Sequence, residues 1–387
     1  MTRPDIIYLD NNATTRTDPA VLDAMRPYFS ELYGNASSVH RFGQLSRAAV
    51  DQARAAVAEL IGCRDSELIF TGSGTESVNT AVRGILASRS PRRRIVTTAV
   101  EHSATRELCQ QLAREGFEAR AVEVDSLGRL DLDALAAAVG NDDQTALVTL
   151  MWANNETGVI FPVAMVGDIC KAAGVPLHVD ATQAVGKIDV HPGKSGVDAM
   201  SFAAHKFHGP KGVAALFVRR GIRMRPLLIG GPQERGKRGG TENVPGIVGM
   251  GKAAELAAKY LAEMPRVAKL RDRLEAEILR NIAETSVNGD IDHRLPNTTN
   301  ISFSRLEAEA ILLLLSERDI CASAGAACSS GSLEPSHVLQ AMKIDPRRAH
   351  GAIRFSLSRM TTEEEIDGAL EIVPKVIARL RAVMPVG

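Results

Sequence analysis

Short apolar runs of β character alternate with amphipathic helical stretches through the middle of this chain, and that alternation restricts the fold more than any other feature. Residues 67–71, 94–99, 146–152, 175–180, 199–202 and 213–218 are each apolar and bounded by Gly, Pro or polar clusters, which is the pattern of strands. Between them lie helical patterns. Residues 46–61, for example, set Val50, Ala53, Val57 and Leu60 on one stripe, with Gly62 beyond as a stop signal. Strand, helix and strand in repetition predict an α/β fold, a mostly parallel sheet covered on both faces.

The character shifts after about Gly251. A highly charged helical region over 252–284 leads to a strand at 297–303 and an apolar helix at 307–315. A loop of small residues at 322–332, a strand at 352–357 and a last helix beginning in the acidic run 361–367 complete the chain. That order predicts a second, smaller α+β domain. The expected division assigns 14–255 to the large domain, and 1–13 with 256–387 to the small one.

Composition narrows the function. With 387 residues, 45% of them hydrophobic, the chain is long enough for two or three structural units of roughly 100–200 residues each. Lys plus Arg and Asp plus Glu both number 46, so no broad basic field gathers nucleic acid. The short clusters 92–94 and 379–381 are expected to face solvent. Cysteines at 63, 109, 170, 321 and 328 are odd in number and irregularly spaced, unlike a secreted disulfide framework. No CxxC pair exists, which argues against a zinc ribbon or a thioredoxin-like site. The opening MTRPDIIYLDNNATT lacks an apolar signal core. The longest apolar runs, such as 310–315, fall far short of the roughly 18–20 residues that span a bilayer. A reducing cytoplasm is the expected compartment, with no membrane attachment.

The chemistry gathers at strand ends. HVDATQ, residues 178–183, puts Asp180 at the carboxyl end of an apolar strand, where α/β sheets place ligand-binding groups. An acid in that place is a helix cap or a ligand contact. SFAAHKFHGPKG, residues 201–212, puts Lys206 just after another strand. A lone Lys is usually a solvated surface charge. A Lys and an Asp ending neighbouring strands are, however, the pair that a pyridoxal cofactor requires: an amine to hold it and a carboxylate for its ring nitrogen. TGSGTES, residues 71–77, follows a strand and opens a helix, a weak but suitable signal for a phosphate site. GPQERGK at 231–237 fits the spacing of a nucleotide-binding loop, but Arg238 stands where that loop needs Ser or Thr, and the reading is rejected. His102, in VEHSA, ends a further strand and suits either ring stacking or proton transfer, or a purely structural hydrogen bond. Finally, CASAGAACSSGSLEPS at 321–336 offers almost nothing to bury, so it is expected to be mobile and exposed. Cys328 within it is the candidate nucleophile. Cys321, Cys63, Cys109 and Cys170 are expected to be buried small residues.

Together, YLDNNATT, GNASSVHRFG, TGSGTES, EHSA, MWANNETGV, HVDATQAVGK, HKFHGPKGV, RGGTEN and ACSSGSLEPSHVL resemble the NifS/IscS-type cysteine desulfurases. The likeness runs from about Tyr8 to Asp367 and leans toward the NifS branch, associated with nitrogenase maturation. It implies a sheet of the aspartate-aminotransferase kind (fold-type I) and pyridoxal 5'-phosphate as cofactor. It further implies L-cysteine as substrate, a homodimer, and a NifU-like iron–sulfur scaffold as sulfur acceptor.

The resemblance also assigns positions. Lys206 holds the cofactor, Asp180 pairs with its ring nitrogen, Gln183 with its ring oxygen, and His102 stacks on the ring. Gly74, Thr75 and His205 hold the phosphate, with Thr241 reaching it from the other subunit; Ser201 and Ala203 are further cofactor-binding positions. Asn155, also at the cofactor, joins Arg354 and Asn35 in binding the substrate. Cys328 carries the transferred sulfur and is a candidate ligand of a transient [2Fe–2S] cluster shared with a scaffold. One departure is visible: Ala203 stands where many relatives carry Ser, and a lost hydrogen bond of that kind costs on the order of 1 kcal/mol. The rival readings are a selenocysteine lyase or aminotransferase on the same scaffold, and a non-catalytic iron–sulfur or sulfur carrier.

Overall fold

The computed structural model describes residues 6–324 and 335–383. Seven strands form the central sheet in the order Leu68–Thr71, Ala214–Val218, Ala199–Ala203, Leu177–Asp180, Thr145–Met151, Arg94–Thr98 and Glu118–Val122. Only Ala214–Val218 runs against its neighbours. The sheet is therefore mostly parallel, as the alternating pattern predicts.

Its two faces follow from the pleat, in which successive side chains point to opposite sides. Ile69, Ile95, Leu147 and Leu216 belong to a core beneath the helices Gly74–Leu86 and Ser103–Arg114. Their strand neighbours Leu68, Phe70, Val96, Val148 and Phe217 belong to a larger core on the other side. That core takes in the helices Arg41–Ile61, Val163–Ala172 and Val244–Tyr260. The helix Arg41–Ile61 ends at Gly62, which adopts φ 63°, a left-handed cap that only glycine takes without strain.

A separate hydrophobic core collects Leu9, Val267, Leu274, Ile301, Phe303, Ile311, Ile353, Phe355, Ile366 and Val373. It lies between a three-stranded antiparallel sheet (Ala352–Ser356, Thr298–Phe303, Thr285–Val287) and the helices Met264–Asn281, Ala308–Ser316 and Glu363–Val383. Val338, Leu339, Met342 and Ala349 pack on the large core instead, so the segment after 335 bridges the two bodies.

Three local expectations need correction. The charged region from 252 is not one helix: a 3-10 turn at Leu261–Glu263 separates Val244–Tyr260 from Met264–Asn281, which starts with a proline in its first turn. Arg94 does not face solvent. Its guanidinium is buried against Asp142, at 2.7 Å, and Glu118, at 2.9 Å. Cys321 and Cys63 are half-buried, whereas Cys109 and Cys170 are buried. No helix among the described residues is long and apolar enough to cross a membrane.

Candidate active site

Every parallel strand of the central sheet ends toward one side, and there a cavity of about 230 Å³ opens. Its walls are strand ends and the turns that follow them. Ser73, Gly74 and Thr75 begin the helix after Leu68–Thr71. His102 begins the helix after Arg94–Thr98. Met151, Ala153 and Asn155 follow Thr145–Met151; Asp180, Thr182 and Gln183 follow Leu177–Asp180; and Ala203, His205 and Lys206 follow Ala199–Ala203.

The amine and the carboxylate expected from sequence thus share one cavity. Lys206 Nζ donates to the carbonyls of Asn12 at 2.7 Å and Ala13 at 2.8 Å. Asp180 is 8% exposed, and its Oδ1 accepts from the Thr182 N–H at 3.0 Å. His102 is the N-cap of Ser103–Arg114, and its Nδ1 accepts from the Ala104 N–H at 3.1 Å. A backbone N–H can only donate, so Nδ1 carries the lone pair and the ring proton sits on Nε2. Burial lowers the imidazole's pKa, with Lys206 and Arg106 adding to the shift and Asp180 opposing it. The ring is neutral near pH 7.

The opposite end of the cavity suits an anion. Ser73 caps the helix Gly74–Leu86 by accepting from the Glu76 N–H at 3.0 Å. Glu76 turns its own carboxylate away, to the Gly72 N–H at 2.8 Å and Arg238 at 2.9 Å. The first N–H groups of a helix lack intrahelical partners. A Cβ added to Gly74 would project between Thr182 Oγ1, at 3.5 Å, and Ala203 Cβ, at 3.7 Å; glycine leaves that space free beside the amides. Nearby His205 touches Thr14 Oγ1 at 3.2 Å. Burial, reinforced by Lys206, lowers its pKa to about 4, so it contributes a neutral N–H.

Arg354 projects from Ala352–Ser356 away from Ile353, Phe355 and Leu357, which fill the second core. Its guanidinium donates to the Asn155 carbonyl at 2.9 Å and to Asp10 Oδ1 at 2.6 Å. Asn155 itself lines the cavity, so Arg354 stands at its edge. The described ends of the 321–336 segment meet the same edge. Ser323 pairs with Arg354 through backbone bonds. Ser336 Oγ donates to Glu156, whose pKa burial raises to about 6 while Ser336 and Arg354 oppose the shift. His337 Nε2 meets the Glu101 carbonyl at 2.9 Å.

Other expected positions lie elsewhere. Ser201 is fully buried one strand repeat below Ala203, and its hydroxyl bonds His178 Nε2 at 2.9 Å; it does not line the cavity. Residues two apart share a strand face, but only the last one reaches the strand's edge. Asn35 sits on an exposed turn, where its Oδ1 accepts from the Ser37 N–H at 2.8 Å. Thr241 is exposed, and neither residue lines this chain's own cavity. Cys328, the expected nucleophile and cluster ligand, lies outside the described residues. Among the described residues no cluster of His, Cys, Asp or Glu is arranged to hold a metal.

Sequence reasoning passed over three residues that matter here. Asn12 is 1% exposed and contacts Lys206, Gln183, Lys187, Asn155, Asn297 and Thr298. Lys187 lies under the cavity, within the HVDATQAVGK motif. Glu101, beside His102, is fully buried, and burial raises its pKa to about 8.

Comparisons with known proteins place the whole chain beside one group of relatives. The aminotransferase class-V family model matches residues 7–368. The chain is 53% identical over 380 residues to cysteine desulfurase 2 of Trichormus variabilis, covering 98% of this chain and 95% of that protein. It is 50% identical over 381 residues to cysteine desulfurase NifS of Azotobacter vinelandii, covering 98% and 94%. Among solved structures, a NifS-like protein superposes with a TM-score of 0.91 at 40% identity, over 97% of this chain and all 100% of that one. SspA in complex with cysteine superposes at 0.80 with 31% identity, over 90% and 98%.

Proposed function

The chain belongs to the aminotransferase class-V family, among its NifS-like cysteine desulfurases, and from that membership we propose that it removes sulfur from L-cysteine, releasing L-alanine and leaving a persulfide on Cys328. The observation that carries this reading is the convergence of Lys206, Asp180, His102 and the start of the helix Gly74–Leu86 on one cavity.

Those residues fit pyridoxal phosphate. They offer an amine, a carboxylate, a neutral planar ring and a helix N-terminus beside a residue without a side chain. When bound, the cofactor supplies an electron sink for the substrate's α-carbon. Lys206 would hold it covalently, and its amine would move the α-proton. Asp180 would keep a proton on the ring nitrogen. His102 would pack on the ring face, and Gln183 would donate to the ring oxygen. Gly74, Thr75 and His205 would bind the phosphate. Arg354 and Asn155 receive the substrate carboxylate; the guanidinium already aims one N–H at the Asn155 carbonyl, and its planar fork suits a carboxylate. The Cys328 thiolate takes the substrate sulfur. A sulfur–sulfur bond forms as the carbon–sulfur bond breaks, and the carbon left behind takes a proton.

The surroundings belong to the same proposal. The large domain is residues 14–255, with 1–13 and 256–387 as the small one; two separate cores support the division, and Val338, Leu339, Met342 and Ala349 of the latter pack across onto the large core. The enzyme is a homodimer in which Thr241 serves the other subunit's phosphate site. Exposed Leu227, Leu228 and Ile229, the last 89% exposed, lie on the same loop, which is closed by the Gly239 N–H on the Leu228 carbonyl at 2.9 Å. The sulfur passes, in the cytoplasm, to a NifU-like iron–sulfur scaffold serving nitrogenase, with Cys328 a transient ligand of a shared [2Fe–2S] cluster.

Incubating the pyridoxal-phosphate-loaded enzyme with L-cysteine should yield alanine and persulfide sulfur in equal amounts. Cys328→Ser should keep the visible cofactor band and release no sulfide. A keto acid in place of alanine would identify an aminotransferase and overturn the proposal.

A further inference from the structure

Lys187 is a buried basic side chain for which neither the fold nor the proposed reaction accounts. It is 6% exposed. Its Nζ donates to two neutral oxygens, Gln183 Oε1 at 2.5 Å and Asn12 Oδ1 at 2.9 Å. Among the described residues no carboxylate pairs with it, and the charges that act on it most, Lys206 and Arg354, are positive. Burial and those two neighbours lower its pKa well below 10.5. Burying an ammonium costs heavily unless it is paired, and this amine meets two amide oxygens in place of a counter-ion.

Its main neighbour is Gln183, whose amide has two ends of opposite polarity. Lys187 meets the oxygen end, and the Asn12 carbonyl accepts from the nitrogen end at 2.9 Å. A flipped amide would set donor against donor and carbonyl against carbonyl, so these two partners fix which end is which. A neutral amine still has N–H groups for both oxygens, and the orientation does not depend on the charge. With Oε1 held from below and one N–H on Asn12, the remaining N–H of Gln183 is left for the cavity that Gln183 lines. The same Asn12 carbonyl accepts from Lys206 Nζ at 2.7 Å.

We propose that Lys187 is a positioning residue: with Asn12 it locks the Gln183 amide so that an N–H, never the carbonyl, faces the oxygen on the cofactor ring. This rests on the pyridoxal-phosphate reading above. It adds a residue that touches neither substrate nor cofactor and acts through one that does.

Apoenzyme titrated with pyridoxal phosphate, followed by the visible band, tests it. Lys187→Met should weaken binding about tenfold, the size of one well-aligned hydrogen bond and its lost counterpart. In a Gln183→Ala background the same substitution should change binding less than about twofold, because the group it orients is gone. Gln183→Glu supplies a second readout that needs no cofactor. It gives the buried Lys187 a counter-ion, so the apoenzyme's Tm should rise while its affinity for pyridoxal phosphate falls; this arm stands even if Lys187→Met does not fold. Equal losses in both backgrounds, an unchanged affinity of Lys187→Met, or a lower apoenzyme Tm of Gln183→Glu would each overturn the inference. Failure of the unaltered chain to bind pyridoxal phosphate would instead remove the functional reading beneath it.

Discussion

Arg54 and Lys187 are both basic side chains with almost no exposure, 4% and 6%, yet their surroundings treat them in opposite ways. Arg54 receives a complete answer. Glu234 takes both of its terminal nitrogens, at 2.9 and 2.7 Å, and also accepts from the Phe70 N–H at 3.0 Å. This pair ties the Gln233–Gly236 turn to the edge strand Leu68–Thr71, and neither of its two residues lines the cavity. Glu234 and Arg235 even adopt φ of 47° and 58° there, a backbone conformation that non-glycine residues rarely hold without such anchoring. Lys187 has only amide oxygens. Where a basic group serves the fold it meets a carboxylate; under the cavity it is left to donate its N–H groups to Gln183 and Asn12. Stability and function therefore separate between two basic residues of like burial.

The largest expected effect tests the first half of that contrast. Glu234→Ala leaves a guanidinium and a backbone N–H buried without their partner, which should cost about 3–5 kcal/mol of unfolding free energy. Protein that folds should bind pyridoxal phosphate as tightly as before. Lys187→Met should do the reverse, losing affinity while the apoenzyme's stability changes by less than about 1 kcal/mol, since it removes a buried amine that had no counter-ion. Urea melts and cofactor titrations on the two variants decide it. Equal stability losses would erase the distinction.

How much of this was legible beforehand depends on the range of the interactions. The inner strands announced themselves because burial on both faces forces continuous apolar runs, as in Ala146–Met151. The outer strand Glu118–Val122 is exposed along most of its length and reads EARAV, so it carried no such signal. Arg94 looked like solvent charge because its partners Asp142 and Glu118 come from other elements. In the cavity, Asp180, Lys206 and His102 were readable because each follows its own strand, a relation local in sequence. Asn12 was not. Its contacts with residues 155, 187, 206 and 297 exist only after the chain has folded.

A third buried group, neither ion-paired nor charged, sharpens the comparison through pH. His178, two residues before Asp180, sits between Thr149 Oγ1 at 2.8 Å and Ser201 Oγ at 2.9 Å. Burial lowers its pKa from 6.5 to about 4, with Asp180 opposing. The unfolded chain therefore takes up this proton near pH 6.5 and the native protein only near 4. Its contribution is intact above 6.5 and is lost as pH falls toward 4. Between pH 7.5 and 5 the native apoenzyme should lose about 2 kcal/mol from this one imidazole. His178→Gln should show a correspondingly shallower decline in urea midpoint over that interval. An unaltered slope would mean that the imidazole is already charged in the native protein.

The smallest expected effect adds a neutral donor instead of removing a charge. Ala203 ends the strand Ala199–Ala203 and lines the cavity opposite the start of the helix Gly74–Leu86, 3.7 Å from the space a Cβ on Gly74 would fill. A serine hydroxyl at 203 reaches the side where the helix amides aim at the phosphate, and it fits because the change adds one atom beside open cavity. Ala203→Ser should therefore tighten pyridoxal phosphate by about fivefold, near the 1 kcal/mol of one added hydrogen bond. The apoenzyme's Tm should stay within about 2 °C, because a hydroxyl facing the cavity is not stranded in the core. Inorganic phosphate should compete with the cofactor more effectively in the variant than in the unaltered chain. Weaker or unchanged binding would show that the phosphate does not lie between Gly74 and Ala203, and the anion end of the cavity would have to be sought nearer His205.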